Sequence, residues 1–178
     1  APLLRGFAFE AAGGPATVLS RVDRAMHGLG IDTMATAVLA TIEPPDPGAG
    51  ADAGWRLTWA SAGHLSPLLV GADGSVLVLD TEPELLLGLD TDAPRTDHVR
   101  GLSAGDTLLL VTDGLVERRG SDLSADVERL RLVLGPLTGA PVEALADGVL
   151  AALVGDGRPA DDVALLAVRI EPGTPAPV

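Results

Sequence analysis

The run Leu108–Thr112, LLLVT, constrains this chain more than any other stretch. Until Thr112 it offers no polar side chain on either side of an extended backbone. Such a strand is stable only in a sheet covered on both faces. It ends at once on an acid, Asp113, followed by Gly114. Two reasons for that acid are available. Asp-Gly is an ordinary turn pair, and the chain carries another, Asp73-Gly74, which reads as a plain hairpin tip. The alternative is chemical: a rigid strand presents the carboxylate, and the glycine leaves room beside it for a cation and its waters.

The rest of the chain supplies partners for that strand. Val18, Leu19, Val22, Ala25, Met26 and Leu29 follow helical spacing and predict an amphipathic helix from Pro15, ended by Gly28 and Gly30. The preceding LLRGFAFEA reads as the tail of an earlier helix. Thr33–Glu43 is β-rich. Trp55–Ser61 alternates apolar and polar residues, which predicts one face in water. Two short strands flank the hairpin Gly71–Gly74, and Arg95–Arg100 is a more polar strand. Helices are expected over Val127–Leu134 and Pro141–Val154, with a last strand at Val163–Ile170. Loops are expected over 44–54 and 155–162. Short hairpin loops favour antiparallel pairing, so the order of elements gives an α+β fold rather than alternating βαβ units.

At 178 residues the chain is long enough for one domain with a real core. The expected division is a single domain over 1–171 and a Pro-rich tail over 172–178. Aromatic residues make up 2% of the sequence, so the core must be aliphatic. The absence of cysteine removes disulfides, thiol nucleophiles and Cys-ligated zinc, and fits a reducing cytoplasm. A formal net charge of −13 argues against nucleic acid and anionic membranes as partners, and is compatible with divalent cations. No apolar run approaches the ~20 residues of a membrane span. The start lacks the layout of a signal peptide and an initiator Met, which suggests a processed or excised segment.

Three strands begin or end at short polar groups: Gly63-His64, Asp113-Gly114 and Asp161-Asp162. If the second and third strands are antiparallel neighbours, Asp113 and Asp161 share one rim of the sheet. Two such carboxylates repel, and a shared proton or a cation relieves them. Hard cations such as Mg²⁺ and Mn²⁺ prefer carboxylate and water oxygens. Plainer roles stand beside these. Asp161-Asp162 can cap or solvate a strand start, and His64 can be a hydrogen-bonded loop histidine. His27 and His98 read as surface residues; Glu117, Arg118 and Arg119 read as a solvated helix end.

Taken in order, TMATAVLATIE, WRLTWASAGHLSPLLV, LSAGDTLLLVTDGLVERRG and DDVALLAVR resemble the PPM metal-dependent protein phosphatases, also called protein phosphatase 2C. The branch is that of the bacterial SpoIIE-type serine phosphatases. The resemblance implies a four-layer α-β-β-α sandwich with antiparallel sheets. It implies two Mn²⁺ or Mg²⁺ ions and an attacking water. Carried over, Asp113 and Asp161 are the catalytic metal ligands, Gly114 and Asp162 shape their surroundings, and Gly63 and His64 lie at the rim. The implied substrate is phosphoserine or phosphothreonine on a regulator such as an anti-sigma-factor antagonist, and a sensor domain on the same chain is the implied partner. Two further acidic motifs of the family, an aspartate on an early strand and a Gly-Asp turn, have no counterpart before the helix that starts at Pro15, and the N-terminal strands that carry them are expected to be absent. The expectation is therefore a C-terminal part of a longer phosphatase or a catalytically incomplete, partner-binding relative. An unrelated acidic α+β domain, with Asp113 in a plain turn, is the remaining alternative.

Overall fold

A computed structural model describes residues 2–10, 13–46, 54–117, 122–154 and 161–171. The expected loop over 44–54 lies largely outside these residues. So do 155–160, Arg118, Arg119 and the tail 172–178. The chain forms two compact units, residues 1–64 with 81–102 and residues 65–80 with 103–178.

In the first unit, helices α1 (Pro2–Glu10) and α2 (Pro15–Gly28) accompany a three-stranded antiparallel sheet. Its strands are β1 (Ala37–Glu43), β2 (Trp55–Ala62) and β5 (His98–Leu102), in the order β1-β2-β5. The apolar stripe of α2 buries Ala16, Leu19, Val22 and Met26 against Ala60 and Ala62 of β2. This corrects the expectation of a solvated face on β2. The face opposite Leu57 and Trp59 carries small residues toward its C-terminal end, and a helix packs there in place of water. Only Arg56 on that face is fully exposed. β5 begins three residues later than expected. His98 is half-buried, not at the surface: it lies across from Trp59, with ring centroids 5.4 Å apart.

Both ends of α2 are closed by specific bonds. Asp97 reaches back to accept the Ala16 N–H at 2.7 Å, a carboxylate at a helix N-terminus as the helix dipole favours. At the other end Gly30, with φ of 65°, completes a Schellman motif: Ile31 N–H donates to the Met26 carbonyl and Gly30 N–H to that of His27. Mid-helix, Asp23 is buried at 1% exposure. Its carboxylate accepts from the Gly88 N–H at 2.7 Å and from the Arg95 guanidinium at 2.9 Å. Arg95 also donates to the Leu85 carbonyl. One ion pair therefore ties the irregular connection 81–97 to the helix.

In the second unit, β3 (Leu68–Val70), β4 (Val76–Val78), β6 (Thr107–Val111) and β7 (Leu165–Arg169) form an antiparallel sheet in the order β4-β3-β6-β7. Leu68, Val70, Leu109 and Val111 pack against Leu130 and Leu134 of α4 (Leu123–Leu134) and Leu145 and Val149 of α5 (Val142–Leu153). On the opposite face Leu69 and Leu108 are also buried, as a strand without polar side chains requires. Leu110 is the exception. It is half-buried beside Leu166, which is 55% exposed on the edge strand. The hairpin β3–β4 turns at Asp73-Gly74 as expected. There the hydrogen bonds from Ser75 hold the Asp73 carboxyl below the ordinary carboxylate range.

The Asp23–Arg95 pair generates a prediction. Truncating either partner leaves a buried charge without its counter-charge, at a cost of about 3–5 kcal/mol. Asp23→Ala and Arg95→Ala are each expected to lower the stability read by urea unfolding by that amount. Asp23→Leu combined with Arg95→Met is expected to cost less than either truncation. Additive losses in the double variant would contradict the coupling.

Candidate functional site

The rim begins where the β6–β7 ladder ends. Antiparallel pairing places Val111 opposite Leu165 and runs the two chains past each other. The Thr112 N–H then donates to the Ala164 carbonyl at 3.0 Å. Beyond that point the Thr112 side chain takes over from the backbone. Its hydroxyl accepts the Ala164 N–H at 2.8 Å and donates to the Asp162 carbonyl at 3.1 Å. A single threonine thus fastens the segment before β7 to the end of β6. The sequence offers no signal for this, because a threonine closing a strand is an ordinary β-former.

Asp113 opens a one-turn helix, α3 (Asp113–Val116). Leu115 and Val116 bury into the core of the second unit, so the turn is anchored from below. The Arg129 guanidinium donates to the Val116 carbonyl at 3.1 Å. The expected solvated helix end is found at Glu117, the exposed C-cap of this turn, although four residues are too few for helical periodicity to register. Asp113 itself stays exposed, and one of its oxygens accepts the Gly114 N–H at 2.8 Å. Asp161 is exposed as well and holds the Asp162 N–H in the same way at 2.7 Å.

Gly114 joins the two halves of the rim, for a reason other than the one expected. A Cβ on Gly114 would lie 2.5 Å from the Asp162 carbonyl oxygen and 3.1 Å from the Asp161 carbonyl carbon. The space beside the glycine is filled by the backbone of the second acidic pair and is not room for a cation. The consequence is the juxtaposition the strand order implied: Asp113-Gly114 and Asp161-Asp162 lie backbone against backbone.

The remaining two residues singled out from the sequence lie in the first unit. Gly63 turns with φ of 67° at the end of β2, and half-buried His64 follows it. Ser61 binds the His64 main chain, and Thr36 meets its ring.

As a donor set, Asp113 and Asp161 suit a hard divalent cation, since both offer solvent-facing carboxylates on a fixed backbone. They fit by type but not by number. Among the described residues, no three His, Cys, Asp or Glu side chains group closely enough to hold a metal ion. Two carboxylates fall short of the six oxygens such ions take.

Gly114→Ala tests the close approach. The new methyl must push the 161–162 backbone away, and the expected loss is about 1–3 kcal/mol, typical of overpacking. Thermal unfolding reads it directly. A variant as stable as the parent would show that the two segments are free to separate.

Comparison with known proteins assigns this architecture. The sequence model of Stage II sporulation protein E (SpoIIE) matches residues 2–171. The crystal structure of the RsbU and RsbW domains of a Mycobacterium tuberculosis protein is similar at 28% identity and a TM-score of 0.79, covering 98% of this chain and 46% of that one. This chain therefore spans less than half of the chain in that structure. The SiaA-PP2C domain of Pseudomonas aeruginosa shares 23% identity with a TM-score of 0.71, covering 96% of this chain and 68% of that one. The manganese-presoaked phosphatase domain of SpoIIE from Bacillus subtilis shares 17% identity with a TM-score of 0.62, covering 98% and 73%. The two structures below 25% identity speak to fold alone. With the family pattern running from the first helix past the last strand, the chain belongs to the SpoIIE family of PPM-type, or protein phosphatase 2C, serine/threonine phosphatases.

Proposed function

We propose that this chain works as a metal-dependent phosphoserine/phosphothreonine phosphatase domain, with Asp113 and Asp161 as ligands to Mn²⁺ or Mg²⁺. The observation that carries the proposal is the packing of Asp113-Gly114 against the Asp161-Asp162 backbone at one strand end. A turn aspartate with no task needs no second acidic pair fastened to it from about 50 residues away by Thr112. The family match over 2–171 spans both compact units, which supports reading them as parts of one domain.

In this reading each residue has a mechanical task. β6 and α3 hold Asp113 at a fixed height above the core. Thr112 sets the distance of the Asp161 segment, and Gly114 allows it to be short. Asp162 contributes its backbone to that contact, through the carbonyl that Thr112 binds. When bound, a divalent ion supplies Lewis-acid chemistry, activating water and drawing charge from phosphoryl oxygens. Asp113 and Asp161 would hold such an ion, with water completing its coordination.

The proposed substrate is a phosphorylated regulatory protein, such as an anti-sigma-factor antagonist. The joining of an RsbU domain to an RsbW domain in the Mycobacterium tuberculosis protein supports a regulatory partner. A sensor domain as controlling partner and a cytoplasmic setting belong to the same proposal. Among the described residues no helix is long and apolar enough to cross a membrane.

A second reading, a partner-binding module without turnover, rests on the two-carboxylate donor set. Manganese-dependent hydrolysis of an aryl phosphate separates the two. Asp113→Asn and Asp161→Asn are each expected to lower that rate by at least about 100-fold, since losing a ligand should cost no less than losing a group that orients one. An unchanged rate in either variant would remove the assignment. Absent hydrolysis, together with weak Mn²⁺ binding by calorimetry, would favour the binding module.

A further inference from the structure

A helix of a single turn does not hold itself, because fixing its dihedrals costs more than its few bonds return. Leu115 N–H donates to the Thr112 carbonyl at 3.0 Å and Glu117 N–H to the Asp113 carbonyl at 2.7 Å, and these bonds define α3. Burial of Leu115 and Val116 sets the depth of the turn. Apolar burial is non-directional, so it leaves the tilt of the peptide groups open. A directional contact comes from α4. The Arg129 guanidinium donates to the Val116 carbonyl at 3.1 Å. Val116 is wholly buried, so this carbonyl has no water to turn to. One turn earlier on α4, the Asp126 carboxylate lies 4.0 Å from Arg129 Nε and is itself buried. Its charge attracts the guanidinium in a setting that screens little, and so favours the arginine over the end of α3.

The Val116 carbonyl and the Glu117 N–H belong to one planar peptide unit. One edge of that plane accepts from Arg129, and the other donates to the Asp113 carbonyl. Any tilt of the plane disturbs both bonds together. We propose that Arg129, held by Asp126, is a positioning residue for Asp113. It acts on the Asp113 main chain through this one peptide and so fixes the direction in which the carboxylate leaves the end of β6. All of these groups lie in the second unit, as does Asp161. The clamp on α3 stands on the geometry alone. Its consequence for a metal ion rests on the phosphatase reading above: losing a group that orients a ligand weakens metal binding about 10–100-fold.

Arg129→Met alone would strand the Asp126 charge, so the working variant combines it with Asp126→Asn. Arg129→Lys keeps the positive charge but not the planar fork. In the first arm, native-state amide exchange reads Glu117 against Val149, a buried residue of α5 that reports global opening. Glu117 exchange is expected to quicken about 10-fold or more relative to Val149 in the double variant, the scale of a lost hydrogen bond to a charged group. Arg129→Lys is expected to fall between that variant and the parent. The second arm uses calorimetry with Mn²⁺ and manganese-dependent hydrolysis of an aryl phosphate. The half-saturating Mn²⁺ concentration is expected to rise about 10-fold in the double variant and less in Arg129→Lys. A merely structural loss would lower the rate by one factor at every Mn²⁺ concentration and leave half-saturation in place. Glu117 exchange that is unchanged, or quickened no more than that of Val149, overturns the clamp. Quickened exchange with unchanged half-saturation overturns the positioning of Asp113. No Mn²⁺ binding by the parent, or full hydrolysis in Asp113→Asn, removes the phosphatase reading and the consequence for metal with it, while amide exchange still decides the clamp.

Discussion

The antiparallel pairing of β6 with β7 is the constraint on which the second unit depends. β6 is buried on both faces, so its backbone groups cannot turn to water and must be satisfied by neighbours in the sheet. β3 supplies one side and β7 the other. The register is not free either. Leu109 and Val111 face the helices α4 and α5, and a slip of one residue would reverse every side chain. Once that register is fixed, the positions of Thr112 and Ala164 follow, and with them the rim. A single acid and an acidic pair far apart in the chain meet because a dry strand had to find a partner running the other way.

The first unit solves a different problem with the same economy of means. The cluster where α2 meets β2 is built from alanine, leucine, valine and one methionine with Phe7 at its edge, and Trp59 is buried on the opposite face of β2. The long connection 81–97 has little regular structure and cannot be held by a hydrogen-bonded ladder. Charged groups do the work there. Asp23 receives Arg95 and the Gly88 N–H, and Asp97 closes the N-terminus of α2. Arg95 Nε is buried without an acceptor among the described residues, so the pair is not fully satisfied. A buried pair of this kind is poor at adding net stability, since desolvation offsets much of its attraction. Its effect is to make one arrangement of the connection far better than the alternatives.

These contrasts explain what could be read before the structure was seen. The helix from Pro15, the hairpin at Asp73-Gly74 and the strand after Leu108 were legible because periodicity and turn chemistry are local. The sharing of a rim by Asp113 and Asp161 was legible too, because it needed only strand ends and an antiparallel assumption. What escaped is the set of side chains that act across the chain. Thr112 reaches Asp162 over 50 residues, and Arg95 reaches Asp23 over 72. Neither threonine nor arginine carries a pattern that names its partner. Gly114 was singled out for the wrong reason, because a glycine shows that something lies close but not what. β2 misled in a related way: small residues on its polar-looking face marked a docked helix, a distinction invisible without the helix in place.

Charge sets the last condition on any function at the rim. A chain with a formal net charge of −13 repels a phosphorylated protein at long range. Salt limits that repulsion to about 8–10 Å, the Debye length near physiological ionic strength. Attraction must therefore come from short-range groups once the substrate is close. Asp113 and Asp161 alone would add to the repulsion of a phosphate dianion. A divalent cation seated on them would reverse the local sign, because a bound ion is the largest charge in its neighbourhood. In the proposed reading, the same acids that would repel a bare phosphate are those that would concentrate the cation. Recognition of an anionic substrate by so acidic a protein is, in that reading, conditional on metal.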